Sequence, residues 1–257
     1  MNLRSTPPLD AMKRIDRRHA LAAIAATLAS PLLAAQPAGK AAKLDANVAI
    51  KATDALLVID VQNCFLPGGS LAVNDGQAVI PVINALAKQF KNIVLTQDWH
   101  TADHVSFASQ HAGKKPFDLI DLPYGKQVLW PDHCVQGTEG AALHKDLDIP
   151  QAQLVIRKGF RTPVDSYSAF LEADRKTETG LRGYLKTRGI KRLFVAGLAT
   201  DFCVAWTALD ARKYGFDVYV VEDACRGIDA SGSLAAAWLS MQKVGVKRTR
   251  STQVSMA

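Results

Sequence analysis

From residue 55 onward, short apolar runs alternate with segments of helical spacing, and polar, Gly- or Pro-containing breaks separate them. The first run, 55–60 (ALLVID), is almost continuously apolar, which is typical of a strand buried on both faces of a sheet. Further strands are predicted over 92–98, 153–159, 191–198, 216–223 and, for a short last strand, near 246–254. Helices are predicted over 78–90, 180–189, 200–215 and 231–245. Because parallel strands need crossover connections, this alternation indicates an α/β domain with an open, mainly parallel, Rossmann-like sheet and helices on both faces.

The N-terminal segment has a different pattern. Arg17 and Arg18 lead into sixteen small or apolar residues, 20–35. This run is shorter than the roughly 20 apolar residues of a membrane span and is typical of a secretory signal, and the Arg pair is similar to a twin-arginine export signal. We therefore predict a signal peptide over 1–35, a linker over 36–52 and one domain over 53–257. The expected location is the periplasm, or the cytoplasm if the signal does not function; a buried Ala-rich helix and a membrane anchor are the alternatives.

The charge distribution excludes nucleic acid as a partner. The chain has 31 Lys and Arg against 24 Asp and Glu, a net charge of +7. Residues 1–35 hold five basic and two acidic residues, and the segment from 243 onward holds four basic residues and no acid. These two ends account for the whole excess, so the body is neutral and carries no basic stripe. Four cysteines in 257 residues are too few for a disulfide framework, and the absence of a C-x-x-C pair argues against a thiol-redox protein.

Residues whose side chains can take part in catalysis lie at the ends of four of the predicted strands. Asp60, Asp98 and Lys158 end three of them, and Cys203 lies just after the fourth. Singly, each has an ordinary explanation as a cap, a surface charge or a core residue, but ligands of open α/β sheets bind at this edge. We therefore predict a triad: Cys203 as nucleophile, Asp60 as the base that takes its proton, and Lys158 as the cation that holds Asp60. The helix predicted from residue 200 would stabilise a thiolate, and its first N–H groups an oxyanion.

A second cluster offers metal ligands. Asp98 and His100, two residues apart in an extended segment, point the same way, and His133 in the segment 130–134 (WPDHC) is a natural third ligand. Three oxygen and nitrogen ligands leave positions open for water or substrate, as in catalytic metal sites. On spacing alone, histidines that only form hydrogen bonds explain the pattern equally well. His104 is either an extra ligand or a supporting group.

Five blocks of sequence carry a family resemblance. They are VIDVQNCFLPGGSL, TQDWHTADHVSFASQH, WPDHCVQGTEGAALH, RKG followed by DSYSAF, and VAGLATDFCV. In this order they resemble bacterial nicotinamidases of the isochorismatase-like hydrolase superfamily, and the resemblance runs from about residue 55 to about 246. It implies that the domain over 53–257 is catalytic. The implied reaction converts nicotinamide to nicotinate and ammonia, and pyrazinamide to pyrazinoate, through a cysteine thioester.

The resemblance also implies roles for individual residues. It assigns the same triad and places one divalent metal ion, zinc with iron or manganese as alternatives, on Asp98, His100 and His133. It implies that three aromatic side chains enclose the pyridine ring, although plain core positions would also explain them: Phe65, Trp130 and Tyr167. A cis peptide is implied between Leu198 and Ala199, with the N–H groups of Ala199 and Cys203 forming the oxyanion hole.

The sequence departs from the family pattern at two points, and two alternative functions stay open. Cys64 stands where the family usually has Asp, and export is unusual for this family. In an oxidising compartment the cysteines could pair, and we expect that Cys203 does not. A related amidase acting on another small amide or ureido acid is one rival; a protein that binds nicotinamide without hydrolysing it is the other. The expected partner is the small-molecule substrate, with no nucleic acid and no lasting membrane partner after signal removal, while self-association is left open.

Overall fold

The structure, a computed structural model, describes residues 47–256, which belong to one compact unit. The predicted signal peptide over 1–35 and most of the predicted linker lie outside the described residues. The strands are β1 (Val48–Ile50), β2 (Asp54–Ile59), β3 (Ile93–Asp98), β4 (Leu119–Leu122), β5 (Gly125–Val128), β6 (Leu154–Lys158), β7 (Arg192–Leu198), β8 (Asp217–Arg226), β9 (Lys247–Thr249) and β10 (Val254–Met256). The helices are α1 (Val79–Ala87), α2 (Leu181–Thr187), α3 (Ala205–Lys213) and α4 (Ser233–Lys243).

Six strands form one parallel sheet in the order β6-β3-β2-β7-β8-β9. Every residue of β2 and β3 is buried, as the continuous apolar run at 55–60 predicts for strands covered on both faces. From β2 the chain continues outward to β3 and β6, whereas from β7 it continues the other way to β8 and β9. The direction therefore reverses between β2 and β7, and such a switch point opens the crevice in which α/β proteins bind their ligands. The predicted fold class is confirmed.

Helices cover the sheet, as the alternating pattern predicts. Right-handed crossovers in opposite directions place α1 on one face of the sheet and α3 with α4 on the other. Helix α1 contacts β7 and β8, and α3 packs against β8 and α4. In the core, the Phe194 ring meets Phe90 edge-on at 5.1 Å and stacks on Tyr219 at 5.1 Å. These contacts fix the strands whose ends carry the polar residues. Within residues 47–256, no helix has the length and apolar character needed to cross a membrane.

The structure differs from the prediction at the chain ends and in the long connection after β3. Strand β1 lies within the predicted linker 36–52, which is therefore wrong for its last residues; β1 pairs in parallel with β10, and the sequence gives no sign of that distant partner. The predicted last strand is two strands, β9 and β10, with a tight turn at Ser251–Gln253 between them. The stretch between β3 and β6 contains the antiparallel hairpin β4–β5.

Candidate active site

The switch point brings Asp60 and Cys203 together. Asp60 follows β2, is fully buried and has a left-handed backbone with φ 46°. Gly197 on β7 faces Ile59 and has φ 119°; a Cβ there would lie 2.1 Å from the Ile59 carbonyl oxygen. Only glycine allows this approach, which sets the end of β2 beside the turn that follows β7. That turn is a π-helical segment, Thr200–Val204, rather than the start of an α-helix, and it carries Cys203.

Lys158 joins the thiol to two carboxylates. Its Nζ lies 2.8 Å from Asp60 Oδ2 and 3.2 Å from Cys203 Sγ, and it also donates to Asp98 Oδ1 and, at 3.2 Å, to the Ser166 carbonyl. The Lys158 side chain is fully buried. Although burial opposes its charge, the Asp60 and Asp98 carboxylates hold the pKa of Lys158 well above its ordinary value. The structure thus brings together the three residues of the predicted triad around a permanent ammonium.

Thr96, which the sequence analysis missed, holds the Asp60 carboxylate. Its hydroxyl donates to Asp60 Oδ1 at 2.5 Å and accepts from the Asp60 backbone N–H at 3.1 Å. Asp60 Oδ2 is buried and meets Lys158 as an ion pair without hydrogen-bond alignment. A carboxylate oxygen of Asp60 lies within 4.8 Å of Cys203 Sγ. Asp60 therefore keeps acceptor capacity beside the thiol.

Burial is the main influence on the pKa of the Cys203 thiol. Burial raises its pKa well above the ordinary value, and the Asp60 and Asp98 carboxylates raise it further, while Lys158 lowers it. Cys203 is only 5% exposed and lies in the π-helical turn, so burial opposes the stabilisation of a thiolate that we expect from the helix N-terminus; that stabilisation stays a prediction. A nucleophile at this position therefore needs a base.

The predicted metal ligands converge from two segments, 98–100 and 130–134. Asp98 Oδ2 lies 3.8 Å from His100 Nε2 and 4.0 Å from His133 Nε2, and the three ligand atoms lie within 4.8 Å of one another. His100 Nδ1 bonds to the Gly159 carbonyl at 2.9 Å and His133 Nδ1 to the Pro131 carbonyl at 2.8 Å. A carbonyl can only accept, so each Nδ1 carries the proton and each Nε2 offers a lone pair. One carboxylate and two neutral imidazoles with fixed tautomers fit a divalent transition-metal ion.

Protonation of these ligands follows their burial. Burial lowers the pKa of His100 well below its ordinary value and that of His133 to about 4, so both rings are neutral near pH 7. Burial raises the pKa of Asp98 to about 8; Lys158 opposes this rise and Asp60 adds to it. Without an ion, the carboxyl group holds a proton at neutral pH.

His104 is held by the protein itself. Its Nδ1 bonds to Ser106 Oγ at 2.7 Å and its Nε2 to the Val164 carbonyl at 3.2 Å, while its ring centre lies 4.2 Å from that of His100. Both nitrogens are therefore engaged, and this arrangement favours the supporting role over that of an extra ligand.

The Cys203 thiol and the ligand cluster line the same cavity. The three predicted aromatic residues all line it: Phe65, Trp130 and Tyr167. Trp130 Nε1 donates to the Tyr167 hydroxyl at 3.0 Å. Phe202, missed although it adjoins Cys203, meets the Trp130 ring edge-on at 4.9 Å. A cavity lined by these aromatic side chains suits a small aromatic ring.

Asp165 is a third residue that the sequence analysis missed. It lines the cavity at 2% exposure, and its Oδ2 accepts from Gln127 Nε2 at 2.7 Å. Gln127 Nε2 also donates to the Tyr167 hydroxyl at 3.1 Å. Burial raises the pKa of Tyr167 well above its ordinary value, with Asp165 adding to the rise. These bonds fix the orientation of the Tyr167 wall. Asp165 lies within the quoted DSYSAF block, but nothing in that pattern separates it from a turn residue.

The segment before the thiol has the expected backbone. The Leu198–Ala199 peptide is cis, and Ala199 and Cys203 both line the cavity. A buried thiol beside a carboxylate and an ammonium, with backbone at the same turn, can attack a carbonyl carbon and release an amine. The fold and the site define a hydrolase acting on amide bonds, with a buried thiol and a group of possible metal ligands in the same cavity.

Comparisons with known proteins agree with this class. The Isochorismatase domain family matches residues 54–253, so the chain belongs to the isochorismatase family. A nicotinamidase of Acinetobacter baylyi is 60% identical over 200 residues, which cover 78% of this chain and 94% of that protein.

Solved structures are similar throughout the described domain. A nicotinamidase/pyrazinamidase of Acinetobacter baumannii is 62% identical with a TM-score of 0.78, over 79% of this chain and 98% of that one. A protein of L. infantum solved in complex with nicotinate is 40% identical with a TM-score of 0.73, over 82% and 100%. A pyrazinamidase of Pyrococcus horikoshii in complex with zinc is 35% identical with a TM-score of 0.63, over 77% and 99%.

Proposed function

We propose that the protein is a nicotinamidase, which hydrolyses nicotinamide to nicotinate and ammonia. One observation carries this proposal: a single aromatic-walled cavity is lined both by the Cys203 thiol and by the ligand cluster of Asp98, His100 and His133. An aromatic carboxamide with a nitrogen in its ring matches both, because the carboxamide would meet the thiol and the ring nitrogen would meet the ligand cluster. The 60% identical nicotinamidase and the L. infantum complex with nicotinate support this substrate.

In the first half-reaction, Asp60 takes the proton of the Cys203 thiol as sulfur attacks the amide carbon. A carbon–sulfur bond forms, and the carbonyl oxygen becomes an oxyanion beside the backbone N–H groups of Ala199 and Cys203. When this intermediate collapses, the carbon–nitrogen bond breaks and Asp60 returns its proton to the leaving nitrogen, which departs as ammonia. Lys158 stays protonated throughout and offsets the charge that moves between carboxylate and sulfur.

The second half-reaction regenerates the thiol. A water molecule attacks the thioester carbon while Asp60 accepts its proton. The carbon–sulfur bond breaks, nicotinic acid is released, and the proton held by Asp60 returns to sulfur. Thr96 holds the Asp60 carboxylate in one orientation during both half-reactions through its 2.5 Å hydrogen bond to Oδ1. The same chemistry applies to pyrazinamide, whose ring has a nitrogen at the same distance from the amide.

We further propose one divalent ion, zinc rather than iron or manganese, on Asp98, His100 and His133. The donor set fits, because both Nε2 atoms are unprotonated and Asp98 Oδ2 faces them. When bound, the ion would supply a Lewis acid that takes the ring nitrogen and fixes the carboxamide against the thiol. The zinc complex of the 35% identical pyrazinamidase supports this choice.

The activity is tested by ammonia release from nicotinamide by the full, zinc-loaded chain. The controls are Cys203→Ala and the parent treated with a chelator. Release by the parent that is lost in both controls is the expected result. A folded, zinc-loaded parent that releases ammonia only from other small amides would overturn nicotinamide as the substrate, and one that binds nicotinamide without hydrolysis would overturn the enzyme assignment.

We also propose export by a twin-arginine route. The Arg17-Arg18 pair and the apolar run after it support this location. The test compares the periplasmic and cytoplasmic amounts of the parent with those of Arg17→Lys/Arg18→Lys, which keeps the charge. Loss of the periplasmic fraction in the variant is expected, whereas equal distribution of both proteins would reject the route.

A further inference from the structure

Two of the four cysteines are joined beside the ligand cluster. Cys64 and Cys134, 70 residues apart in sequence, form a disulfide with their Cα atoms 5.7 Å apart. Both residues are 1% exposed. Cys203 and Cys225 are free, so the pairing leaves the nucleophile as a thiol, as expected from the sequence. Cys64 is the position at which the sequence departs from its family.

The two half-cystines adjoin two cavity-lining residues that contact each other. Cys64 lies in the short turn Asn63–Phe65, directly before the aromatic wall residue Phe65. Cys134 directly follows the ligand His133, whose ring centre is 5.6 Å from that of Phe65. The Cys134 carbonyl also accepts from the backbone N–H of His100 at 3.0 Å. The cross-link therefore ties the Phe65 turn to the backbone that carries two of the three ligands.

Hydrogen bonds from Gln62, next to this turn, hold the backbone of the ligand Asp98: Gln62 Nε2 donates to the Asp98 carbonyl at 2.8 Å, and Gln62 Oε1 accepts from the Asp98 N–H at 2.8 Å. The Asn63 backbone N–H donates to the Ala142 carbonyl at 3.1 Å. The disulfide adds the link from the turn to the segment that carries His133. Its position adds a covalent constraint at the place where a small displacement would move His133 Nε2 away from Asp98 Oδ2.

We propose that the Cys64–Cys134 disulfide is a positioning cross-link that holds His133 in place for the metal ion. This inference rests on the proposed metal site. The sulfur–sulfur bond forms when the two thiols give up two protons and two electrons to a protein disulfide donor, which is reduced to its dithiol. Such donors act in oxidising compartments, in keeping with the proposed export.

The first test counts thiols. The full chain is recovered from the periplasm, denatured without reductant, alkylated and examined by mass spectrometry. Alkylation at Cys203 and Cys225 only, with Cys64 and Cys134 modified after reduction, is the expected result. Four alkylated cysteines before reduction would overturn the proposal.

The second test measures the rate at which zinc is lost to excess chelator. Cys64→Ala/Cys134→Ala is compared with the parent, with the parent reduced under native conditions, and with Cys225→Ala as a matched buried control. Because supporting groups of metal ligands affect affinity by about 10–100-fold, we expect at least about tenfold faster loss in the double variant and the reduced parent, and no change in the control. Equal loss rates in all four samples would refute the positioning role.

A kinetic readout separates positioning from general stability. With zinc in excess, the double variant should recover the parent kcat for nicotinamide, because the ion refills a site whose ligands are unchanged. A kcat that stays low in a folded, zinc-saturated double variant would contradict the proposal. If the parent does not hydrolyse nicotinamide but the zinc-loss rates differ as expected, the proposed function fails and the cross-link stands.

Discussion

Metal binding should displace one proton, and that proton should come from Asp98. The perturbation is pH in the range from 5 to 8, applied to the metal-free protein. Asp98 has its pKa raised to about 8 by burial, whereas His133 has its pKa lowered to about 4 and His100 has its pKa well below the ordinary value. Between pH 5 and 8 the two rings are already neutral. The ion therefore competes with one proton, on Asp98.

The sign and size follow from this competition. Below the raised pKa the carboxyl group is protonated, so metal affinity falls as pH falls, by about tenfold per pH unit well below 8, and levels off above it. With a pKa of about 8, the apparent Kd at pH 5 should exceed that at pH 8 by about 500-fold, which corresponds to about 3.7 kcal/mol at 1.36 kcal/mol per tenfold. The two histidines add almost nothing, because neither holds a proton in this range.

The assay is a competition titration of zinc between the protein and a chromophoric chelator at several pH values. Calorimetry in buffers of different ionisation enthalpy counts the released protons directly, and about one per ion is expected at pH 6.5. Asp98→Asn, which has no acidic proton to release, should bind weakly and with a flat profile. A flat profile in the parent would refute the reasoning, since it would mean that the Lys158 ammonium outweighs burial and keeps Asp98 ionised. Release of two protons would mean that a histidine is charged at rest.

Three further outcomes test the site and the fold. Thr96→Val removes the hydroxyl that donates to Asp60 and should raise the barrier to hydrolysis by about 1–3 kcal/mol, with unchanged zinc content by metal analysis; an unchanged kcat would remove this role. Lys158→Met leaves the buried Asp60 carboxylate without its cation and should lower the free energy of unfolding by about 3–5 kcal/mol in urea titrations, a result that unaltered stability would contradict. Gly197→Ala should give no folded protein by circular dichroism, because its Cβ would meet backbone at 2.1 Å, whereas the matched change Gly183→Ala, with nothing within 4 Å, should fold; a folded Gly197→Ala protein would contradict the argument.

Strands of the central sheet could be predicted because burial on both faces leaves a continuous apolar run. The run 55–60 corresponds to β2 within one residue at each end. The connection between β3 and β6 could not be predicted in the same way. Leu119 in its hairpin is 43% exposed, so no buried alternation marks the strand. Strand β1 depends on a partner that lies about 200 residues away in sequence, and local pattern carries no information on such a pair.

The residues at the strand ends were predictable for a geometric reason. Carboxyl ends of parallel strands share one edge, so Asp60, Asp98 and Lys158 had to come near one another once the strands were assigned. Thr96 escaped because a threonine inside a strand is ordinary β-sheet composition, and only the neighbouring strand shows what its hydroxyl holds. The raised pKa of Cys203 was not predicted, because the argument from the helix N-terminus considered the favourable helix dipole and left out burial. At 5% exposure, burial of Cys203 decides the sign of the pKa change.

Asp98 connects the metal-ligand cluster to the network around Cys203. Its Oδ1 accepts from Lys158, the ammonium that also contacts the thiol, while its Oδ2 faces the two histidine nitrogens. Its charge therefore enters both the metal site and the network around Cys203, where an ionised Asp98 raises the pKa of the thiol. A divalent ion on Oδ2 would replace the single proton that Asp98 holds in the metal-free protein, and would thereby add one net positive charge beside the network around Cys203. The thiol would then be easier to deprotonate in the metal-loaded protein than in the metal-free one, so the site that holds the ring would also prepare the nucleophile.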